Sequence, residues 1–388
     1  MTGGLPSGGS TIFLLHLAEG FRALGICSEV FSFTKDNPLS SEFSELQIPV
    51  HAADESSLIY EDRVAGMYRK MAIFQPNAVI ANLGLESLEM LQYVPQGVVR
   101  VAMIHEQGMH KGPPNYKGFV DGIGIVNPAW LDLAAQRNPT ARCRFLAHGI
   151  PLPAPEFARA PNPTDPLRLV YFGRLQQTKG TRLFPEVAKQ LADHSIPFHW
   201  TMYGNGPEEN WLRSQLAKAI NGKTVTIAPH VPRQNLFQNI RRHDVFVMAS
   251  ENEGCPLTLL EAMAVGLVPV CGDIPCLIQE VVNRENGFVV PRDPMSLAQS
   301  IAELHRDRAR LEKMSVAARK TITGKYSLKA MAERYVEFIE GLGPKAEPSP
   351  WPENIQPRLI RGLPLFSRIS HGTALGRQVR RMAKRLAR

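Results

Sequence analysis

Two glutamates, Glu253 and Glu261, lie eight positions apart in the stretch ENEGCPLTLLEAMAVG, residues 251–266. Pro256 suits the first position of a helix and Gly266 the position just after its end, so the pattern predicts a helix over about 256–265. That helix is otherwise almost wholly apolar, which predicts that Glu261 is buried. A buried carboxylate needs hydrogen-bond donors, and the two adjacent hydroxyls of a ribose would supply them.

Other residues that could bind an anion follow the predicted strands. The turn at Gly254 and Cys255, ahead of Pro256, is expected to offer backbone amides to a hydroxyl or phosphate, while Glu253 accepts from another hydroxyl. Gly173, Arg174 and Lys179 follow LVYF, and their two cations suit a diphosphate. Gly204 and Gly206 follow TMY and are expected to bring bare backbone close to a ligand.

These turns need a parallel sheet to bring them together, because ligands of open α/β sheets bind beyond the carboxyl ends of the strands. Buried apolar runs separated by helical patterns predict such a sheet in each half of the chain. The first half also begins with the glycine-rich turn GGLPSGGS, which contains Gly4, Gly8 and Gly9, and His105 ends the run VVRVAMI. We therefore predict domains at 1–150 and 167–325, a proline-rich linker at 151–166, a closing helix at 326–343 and a tail at 344–388.

The stretches FGRLQQTKG, YGNGPEENWLR, SENEGCPLTLLEAMAVGLVPV and ENGFVVPRDPMSLAQSIAEL resemble the successive motifs of the retaining, GT-B-fold glycosyltransferases of family 4. The resemblance covers about residues 3–343. It implies two Rossmann-like domains that face a cleft. It also implies a nucleoside-diphosphate sugar as donor, with uridine the first guess and guanosine the second, and a saccharide or lipid-linked acceptor.

The resemblance also assigns roles to individual residues. Arg174 and Lys179 would neutralise the leaving diphosphate, Glu261 would hold the ribose, and Glu253 would contact the donor sugar. The turn of Gly4, Gly8 and Gly9 would approach the diphosphate, and His105 would lie on the acceptor side. No metal or other cofactor is expected, because side chains and helix ends provide the positive charge. Family members begin with a strand of several residues before the glycine turn, whereas only Met1 and Thr2 precede Gly3 here.

The composition is that of a globular protein, with 44% hydrophobic and 21% charged residues among 388. No apolar run approaches the roughly 18 residues of a membrane-spanning helix, and no secretory signal is evident. The five cysteines lack the paired spacing of a disulfide framework or a zinc site. A cytoplasmic location is therefore expected.

The excess positive charge belongs to the tail. Residues 344–388 contain ten Lys and Arg and two Glu, so the remaining 34 basic and 34 acidic residues balance. Apolar and basic residues of 375–388 fall on different faces of a helical pattern, which is typical of a helix that lies on an anionic membrane surface. A solvated, disordered tail is the alternative, and nucleic acid is not expected as a partner.

Three other functions fit the same architecture. A nucleotide-sugar epimerase or a phosphorylase would release a sugar or a sugar phosphate without an added acceptor. A catalytically degenerate scaffold protein would have no transferase activity. The expected function remains a hexosyltransferase of surface polysaccharide or glycolipid biosynthesis.

Overall fold

The computed structural model describes residues 1–5, 8–34, 37–53, 60–82, 84–105, 118–164, 166–276, 282, 284–343, 349–352 and 355. The chain divides into two compact units. The first contains Met1–Ala147 and Leu328–Arg388, and the second contains His148–Ser327. The predicted fold class, α/β with a parallel sheet in each half, is confirmed.

The second unit is built on a six-stranded parallel sheet with the order β12-β11-β10-β7-β8-β9. Its strands Val245–Met248 and Val268–Gly272 are buried along their whole length, as expected where helices cover both faces of a sheet. The two edge strands, Val225–Ala228 and Phe288–Val290, are partly exposed. The strands are β7 (Leu167–Phe172), β8 (Phe198–Tyr203), β9 (Val225–Ala228), β10 (Val245–Met248), β11 (Val268–Gly272) and β12 (Phe288–Val290). The helices are α6 (Phe184–Asp193), α7 (Glu209–Gln215), α8 (Ala217–Asn221), α9 (Leu236–Ile240), α10 (Leu257–Val265), α11 (Pro294–Arg306) and α12 (Arg308–Lys325).

The first unit contains a four-stranded parallel sheet, β3-β4-β5-β6, and a separate parallel pair, β1-β2. Its strands are β1 (Val30–Ser32), β2 (Val50–Ala52), β3 (Ala78–Ala81), β4 (Val99–Ile104), β5 (Gly122–Ile125) and β6 (Arg142–Phe145). Its helices are α1 (Gly9–Ala23), α2 (Ser40–Glu45), α3 (Tyr60–Phe74), α4 (Leu85–Met90), α5 (Leu131–Arg137) and α13 (Leu328–Leu342).

Met1 and Thr2 join these two sheets of the first unit. The Thr2 amide donates to Phe31 O at 2.9 Å, and Thr2 O accepts from the Phe33 amide at 3.0 Å. On the other side, the Met1 amino group donates to Ile80 O at 2.6 Å, and Met1 O accepts from the Asn82 amide at 2.8 Å. Two residues therefore occupy the position between β1 and β3 where the resemblance implies a longer strand.

The predicted linker packs with the second unit. The Arg159 amide donates to Val265 O at 2.7 Å, and the Arg159 guanidinium lies 2.8 Å from Asp244 Oδ1, with both side chains almost fully buried. Asp244 also accepts from Asn162 and Arg168, and these hydrogen bonds hold its pKa below the usual range against the effect of burial. Arg159 and Asn162 of the predicted linker are therefore held to the second unit by hydrogen bonds.

The last three helices belong to both units. The predicted closing helix is α13, and it packs against α1 in the first unit. In the second unit, α11 and α12 are separate helices, because Asp307 starts a new helix by accepting from the Arg310 amide at 2.8 Å. Among the described residues, no helix is long and apolar enough to cross a membrane. The basic segment 375–388 lies outside the described residues.

Candidate functional site

The strand order of the second unit reverses at β7. The chain runs outward from β7 through β8 and β9 on one side, and continues through β10, β11 and β12 on the other. In open α/β sheets this reversal opens a crevice at the carboxyl ends of the two central strands, which is where ligands bind. The predicted site residues Gly173, Arg174 and Lys179 follow β7, and Glu253 follows β10, so these two turns lie at that position.

A lysine and a glutamate from these two turns form an ion pair. Lys179 Nζ lies 2.6 Å from Glu253 Oε1, which also accepts from Ser250 Oγ at 2.8 Å. The turns are joined by their backbones as well, since the Glu251 amide donates to Thr178 O at 2.9 Å. We call Lys179, Ser250 and Glu253 the charged strand-end cluster. The cluster places a cation next to an anion at the strand ends, so it can bind a ligand group of either charge.

Arg174 lies beside this cluster with an exposed side chain. Within the described ranges, no hydrogen bond or ion pair of its guanidinium is found. Tyr171 fixes the Arg174 backbone instead, because the Tyr171 hydroxyl donates to Arg174 O at 2.7 Å. Burial raises the pKa of Tyr171, and the negative charge of Glu253 raises it further, so the tyrosine stays protonated and keeps this bond.

Three glycines of these turns pack against backbone, and the prediction that Gly204 and Gly206 approach a ligand stays a prediction. A Cβ on Gly204 would lie 2.0 Å from Gly173 O, and a Cβ on Gly206 would lie 2.2 Å from Leu175 O. At Gly180, where φ is +71°, a Cβ would lie 1.8 Å from Ala249 O. The missing side chains at Gly204 and Gly206 therefore let the turns after β7 and β8 touch each other.

The helix predicted over 256–265 is observed as α10, with Pro256 as the residue before its first turn and Gly266, at φ +94°, directly after its end. Glu261 is 9% exposed, and burial raises its pKa to about 7, while the positive charge of Arg233 opposes that rise. Gly254 and Cys255 are half-buried in the turn before the helix. The predicted burial of Glu261 is confirmed, and Arg233 is the cation whose charge acts on it.

The first unit brings His105, which follows β4, together with Asn82, which follows β3. His105 Nε2 lies 2.5 Å from Asn82 Oδ1, and Asn82 Nδ2 donates to Ser10 O at 3.2 Å. Burial lowers the pKa of His105 to about 4, so the imidazole is neutral at pH 7. We call Ser10, Asn82 and His105 the neutral strand-end cluster.

The glycine turn lies next to this cluster. Gly3 contacts the turn after β3, where a Cβ on Gly84, at φ +91°, would lie 2.7 Å from Gly3 Cα. Gly4 O accepts from Thr2 Oγ1 at 2.9 Å. A Cβ added to Gly8 or Gly9 would meet no described atom within 4 Å, so the backbone at the start of α1 faces open space.

Four residues of these two regions were not identified from the sequence: Asn82, Tyr171, Arg233 and Ser250. Asn82 directly follows β3 and Ser250 comes two residues after β10, so a systematic inspection of every strand end would have found them. Tyr171 lies inside a strand, and Arg233 begins a short 3₁₀ helix before α9, so the sequence carries no comparable signal for either. In the part of the chain that the structure describes, no group of three or more His, Cys, Asp or Glu side chains could hold a metal ion.

Comparison with known families gives a match in the second unit. Residues 155–321 match the family described as "Glycosyl transferases group 1". The match spans β7 to α12 and therefore includes the charged strand-end cluster and Glu261.

Curated relatives match part of the chain. The putative colanic acid biosynthesis glycosyltransferase WcaL of Salmonella typhimurium is 28% identical over 187 residues, which cover 46% of each chain. The GDP-mannose:cellobiosyl-diphosphopolyprenol alpha-mannosyltransferase of Xanthomonas campestris is 27% identical over 223 residues, 55% of this chain and 56% of that one. The chain spans about half the length of the curated relatives it matches.

The fold is shared with solved structures over most of the chain. HepE from Anabaena, determined in complex with UDP and glucose, superimposes with a TM-score of 0.69 at 15% identity, covering 87% of this chain and 97% of that one. At this identity, the similarity concerns the fold.

Proposed function

We propose that this chain transfers a sugar from a nucleoside-diphosphate sugar to a saccharide or lipid-linked acceptor. The premise is its match, through residues 155–321, to the glycosyl transferases group 1 family. The donor binds to the second unit, and His105 of the first unit contacts the acceptor. We propose that the product belongs to a surface polysaccharide or a glycolipid. The relative WcaL is named for colanic acid biosynthesis.

The observation that carries this proposal is the charged strand-end cluster at the point where the sheet order reverses. Lys179 supplies a cation for a diphosphate, and exposed Arg174 supplies a second one with several donors in a fixed fork. Glu261 lies on α10 as a buried carboxyl group that two ribose hydroxyls can satisfy by donating to it. Together these groups match the three parts of a nucleoside-diphosphate sugar that follow the base.

In the proposed reaction, the bond between the anomeric carbon and the diphosphate oxygen breaks, and a bond from the same carbon to an acceptor oxygen forms. The hydroxyl proton of the acceptor leaves with the departing diphosphate. Lys179 and Arg174 stabilise the negative charge that develops on that diphosphate, which is the step where electrostatic stabilisation has its largest effect. The acceptor attacks from the face that the diphosphate leaves, so the anomeric configuration is retained.

Uridine is proposed as the base of the donor and guanosine as the second candidate. The complex of HepE contains UDP, and the name of the Xanthomonas relative specifies GDP-mannose, so both bases occur among similar proteins. Because Arg174 and Lys179 provide two positive charges, we propose that transfer needs no metal ion.

Nucleotide binding can be tested by thermal shift with UDP, GDP, ADP and their sugars. A ligand at 100 times its dissociation constant adds about 2.7 kcal/mol to the free energy of unfolding, which raises the melting temperature measurably. We expect a uridine nucleotide to give the largest shift and Glu261→Ala to abolish it. Glu253→Ala should keep the shift and lose turnover. If no nucleotide shifts the full-length chain, the proposed donor site is wrong.

The tail is proposed to hold the enzyme at an anionic membrane surface, where lipid-linked acceptors are found. This rests on the ten basic and two acidic residues of 344–388, since each cation near an anionic leaflet contributes about 1 kcal/mol. In cosedimentation with phosphatidylglycerol vesicles, we expect the full chain in the vesicle pellet. A chain that ends at residue 352 should stay in the supernatant. Equal binding of both would contradict the role of the tail.

A further inference from the structure

The peptide group that joins Arg174 to Leu175 is held from both ends. Its carbonyl, Arg174 O, accepts from the Tyr171 hydroxyl at 2.7 Å. Its amide, Leu175 N, donates to Asn205 O in the turn after β8 at 2.8 Å. Because the atoms of a peptide group lie in one plane, two hydrogen bonds at its opposite ends fix the orientation of that plane. The backbone of Arg174 is therefore fixed on its carboxyl side.

The turn is also held one residue before Arg174. The Gly173 amide donates to the backbone oxygen of Tyr203, the last residue of β8, at 3.0 Å. Gly173 has φ at +151°, and a Cβ at this position would lie 3.1 Å from the Tyr171 hydroxyl oxygen. A glycine here leaves the space that the hydroxyl needs. The turn is thus anchored on each side of Arg174, and one of the anchors is a side chain.

The ring that carries this hydroxyl is itself fixed by packing. Tyr171 is buried, and its ring meets Phe184 of α6 edge to face, with centroids 5.0 Å apart. Phe184 packs in turn against Trp200 of β8, with centroids 4.9 Å apart. Burial raises the pKa of Tyr171, so the hydroxyl keeps its proton. Tyr171 is therefore a preorganised donor to the Arg174 carbonyl.

The side chain of Arg174, in contrast, is exposed. A long side chain loses rotamer entropy when a ligand orders it, and part of this cost depends on how freely its backbone moves before binding. A fixed backbone limits the region that the guanidinium reaches. The hydrogen bond from Tyr171 thus determines where the guanidinium starts from when it binds an anion.

We propose that Tyr171 is a positioning residue for Arg174: its hydroxyl holds the Arg174 peptide group so that the guanidinium is directed at the diphosphate of the donor. Because it needs Arg174 to bind the diphosphate, this role rests on the proposed function. It assigns part of the donor affinity to one buried oxygen atom that the donor does not touch. That part concerns the phosphates of the donor and not its nucleoside.

The effect on the backbone can be measured without a ligand. Tyr171→Phe keeps the ring and removes only the hydroxyl, so the variant is expected to fold. The Arg174 peptide group then turns more freely, and the hydrogen bond from the Leu175 amide opens more often. We expect hydrogen exchange of the Leu175 amide, followed by NMR of the full chain, to become about fivefold faster, the effect of one hydrogen bond. Unchanged exchange would show that Tyr171 does not hold this peptide group.

The effect on binding is measured by titration with UDP and with uridine, which has no phosphate. GDP and guanosine replace them if the guanine nucleotide gives the larger thermal shift. We expect Tyr171→Phe to raise the dissociation constant of UDP about fivefold and that of uridine by less than about twofold. A tyrosine that only supports the fold would change both constants equally. An equal change with both ligands, or no change, would overturn the proposal.

A double variant tests whether Tyr171 acts through Arg174. Arg174→Met should raise the dissociation constant of UDP about 30-fold, because it removes a charged hydrogen-bond donor. If the role of Tyr171 depends on the guanidinium, adding Tyr171→Phe should weaken binding no further, whereas independent contributions would multiply. Tyr335→Phe is the matched control, because Tyr335 is also buried and donates its hydroxyl, to Met103 Sδ at 3.7 Å in the first unit. It should leave UDP binding and the exchange of Leu175 unchanged.

Failure of this inference can be distinguished from failure of the proposed function. If no nucleotide binds the wild type, the proposed donor site is wrong and Tyr171 has no role in it, although the exchange of Leu175 still decides whether Tyr171 holds the turn. If UDP binds the wild type and Tyr171→Phe keeps the ratio of the two dissociation constants, the donor site stands and the positioning role is wrong.

Discussion

The carboxyl ends of the strands carry different chemistry in the two units. In the second unit, Lys179 and Glu253 form an ion pair that Ser250 supports. In the first unit, a neutral imidazole is bonded to a neutral carboxamide, and burial holds the pKa of His105 near 4. The carboxyl ends of one kind of sheet thus carry an ion pair in one unit and an uncharged imidazole–carboxamide pair in the other. The first suits a diphosphate, and the second suits a sugar hydroxyl.

The largest effect is expected from removing the cation of the charged strand-end cluster. Lys179→Met should lower turnover about 10³-fold, because the leaving diphosphate loses a preorganised positive charge and Glu253 loses its partner. Initial rates at saturating donor measure this. Lys189→Met is the matched control, since Lys189 is exposed on α6 and forms its ion pair with Asp193, four residues further along the same helix. A loss of less than tenfold in Lys179→Met would mean that the two strand-end regions do not differ in their use of charge.

Substituting glycines with alanine should distinguish a glycine that packs against backbone from one that faces open space, by the loss in the free energy of unfolding. Gly180→Ala should lower the free energy of unfolding by about 3 kcal/mol, because its Cβ would meet Ala249 O at 1.8 Å and its φ is left-handed. Gly8→Ala in the first unit should change it by less than about 0.5 kcal/mol, since its φ is extended and the space around a Cβ there is open. Urea unfolding of both variants measures the difference, and equal losses would contradict it.

Glu261 should make stability depend on pH. Its pKa is about 7 when folded, against an ordinary value of 4.5, so the protonated carboxyl contributes stability that is fully present below pH 4.5 and lost as pH rises through 7. Glu261→Gln should remove up to about 3 kcal/mol of that dependence. Urea unfolding at pH 4.5 and pH 8 tests this. If the free energy of unfolding changes with pH in the same way in the wild type and in Glu261→Gln, ionisation of Glu261 does not destabilise the fold.

The smallest effect is expected from removing divalent metals. If Arg174 and Lys179 neutralise the diphosphate, EDTA should leave the initial rate within about twofold, and added Mg²⁺ should not raise it. A rate that EDTA abolishes and Mg²⁺ restores would mean that a metal ion, rather than the charged strand-end cluster, carries the positive charge.

The sequence predicts the strands that are mainly apolar. Strands β3, β4, β5 and β7 to β11 follow from such runs, and α10 follows from the positions of Pro256 and Gly266. The short strands β2, β6 and β12 were not predicted. Their side chains are half-buried or exposed, and β6 alternates arginine with Cys143 and Phe145, so their apolar signal is weak.

Residue types at the site were easier to predict than their partners. A cation and two carboxylates near strand ends indicate a ligand site even when their contacts are unknown. In the structure, Lys179 and Glu253 form a hydrogen bond. The contact of Asn82 with His105 joins residues on successive strands, and an asparagine after a strand is typical of a turn. Gly204 was predicted to expose backbone to a ligand, and its close approach to Gly173 O depends on the register of β7 with β8.

The helix α13 closes the first unit from the far end of the chain. Leu328 O would lie 2.7 Å from a Cβ on Gly20 of α1, so the two helices touch where a larger residue has no room. During synthesis, the whole of the second unit is made between α1 and α13. At about 10 residues per second, α1 waits on the order of half a minute for its partner. The second unit can therefore finish folding on the ribosome before the first, and a nascent chain that stops short of residue 328 leaves the apolar surface of α1 uncovered.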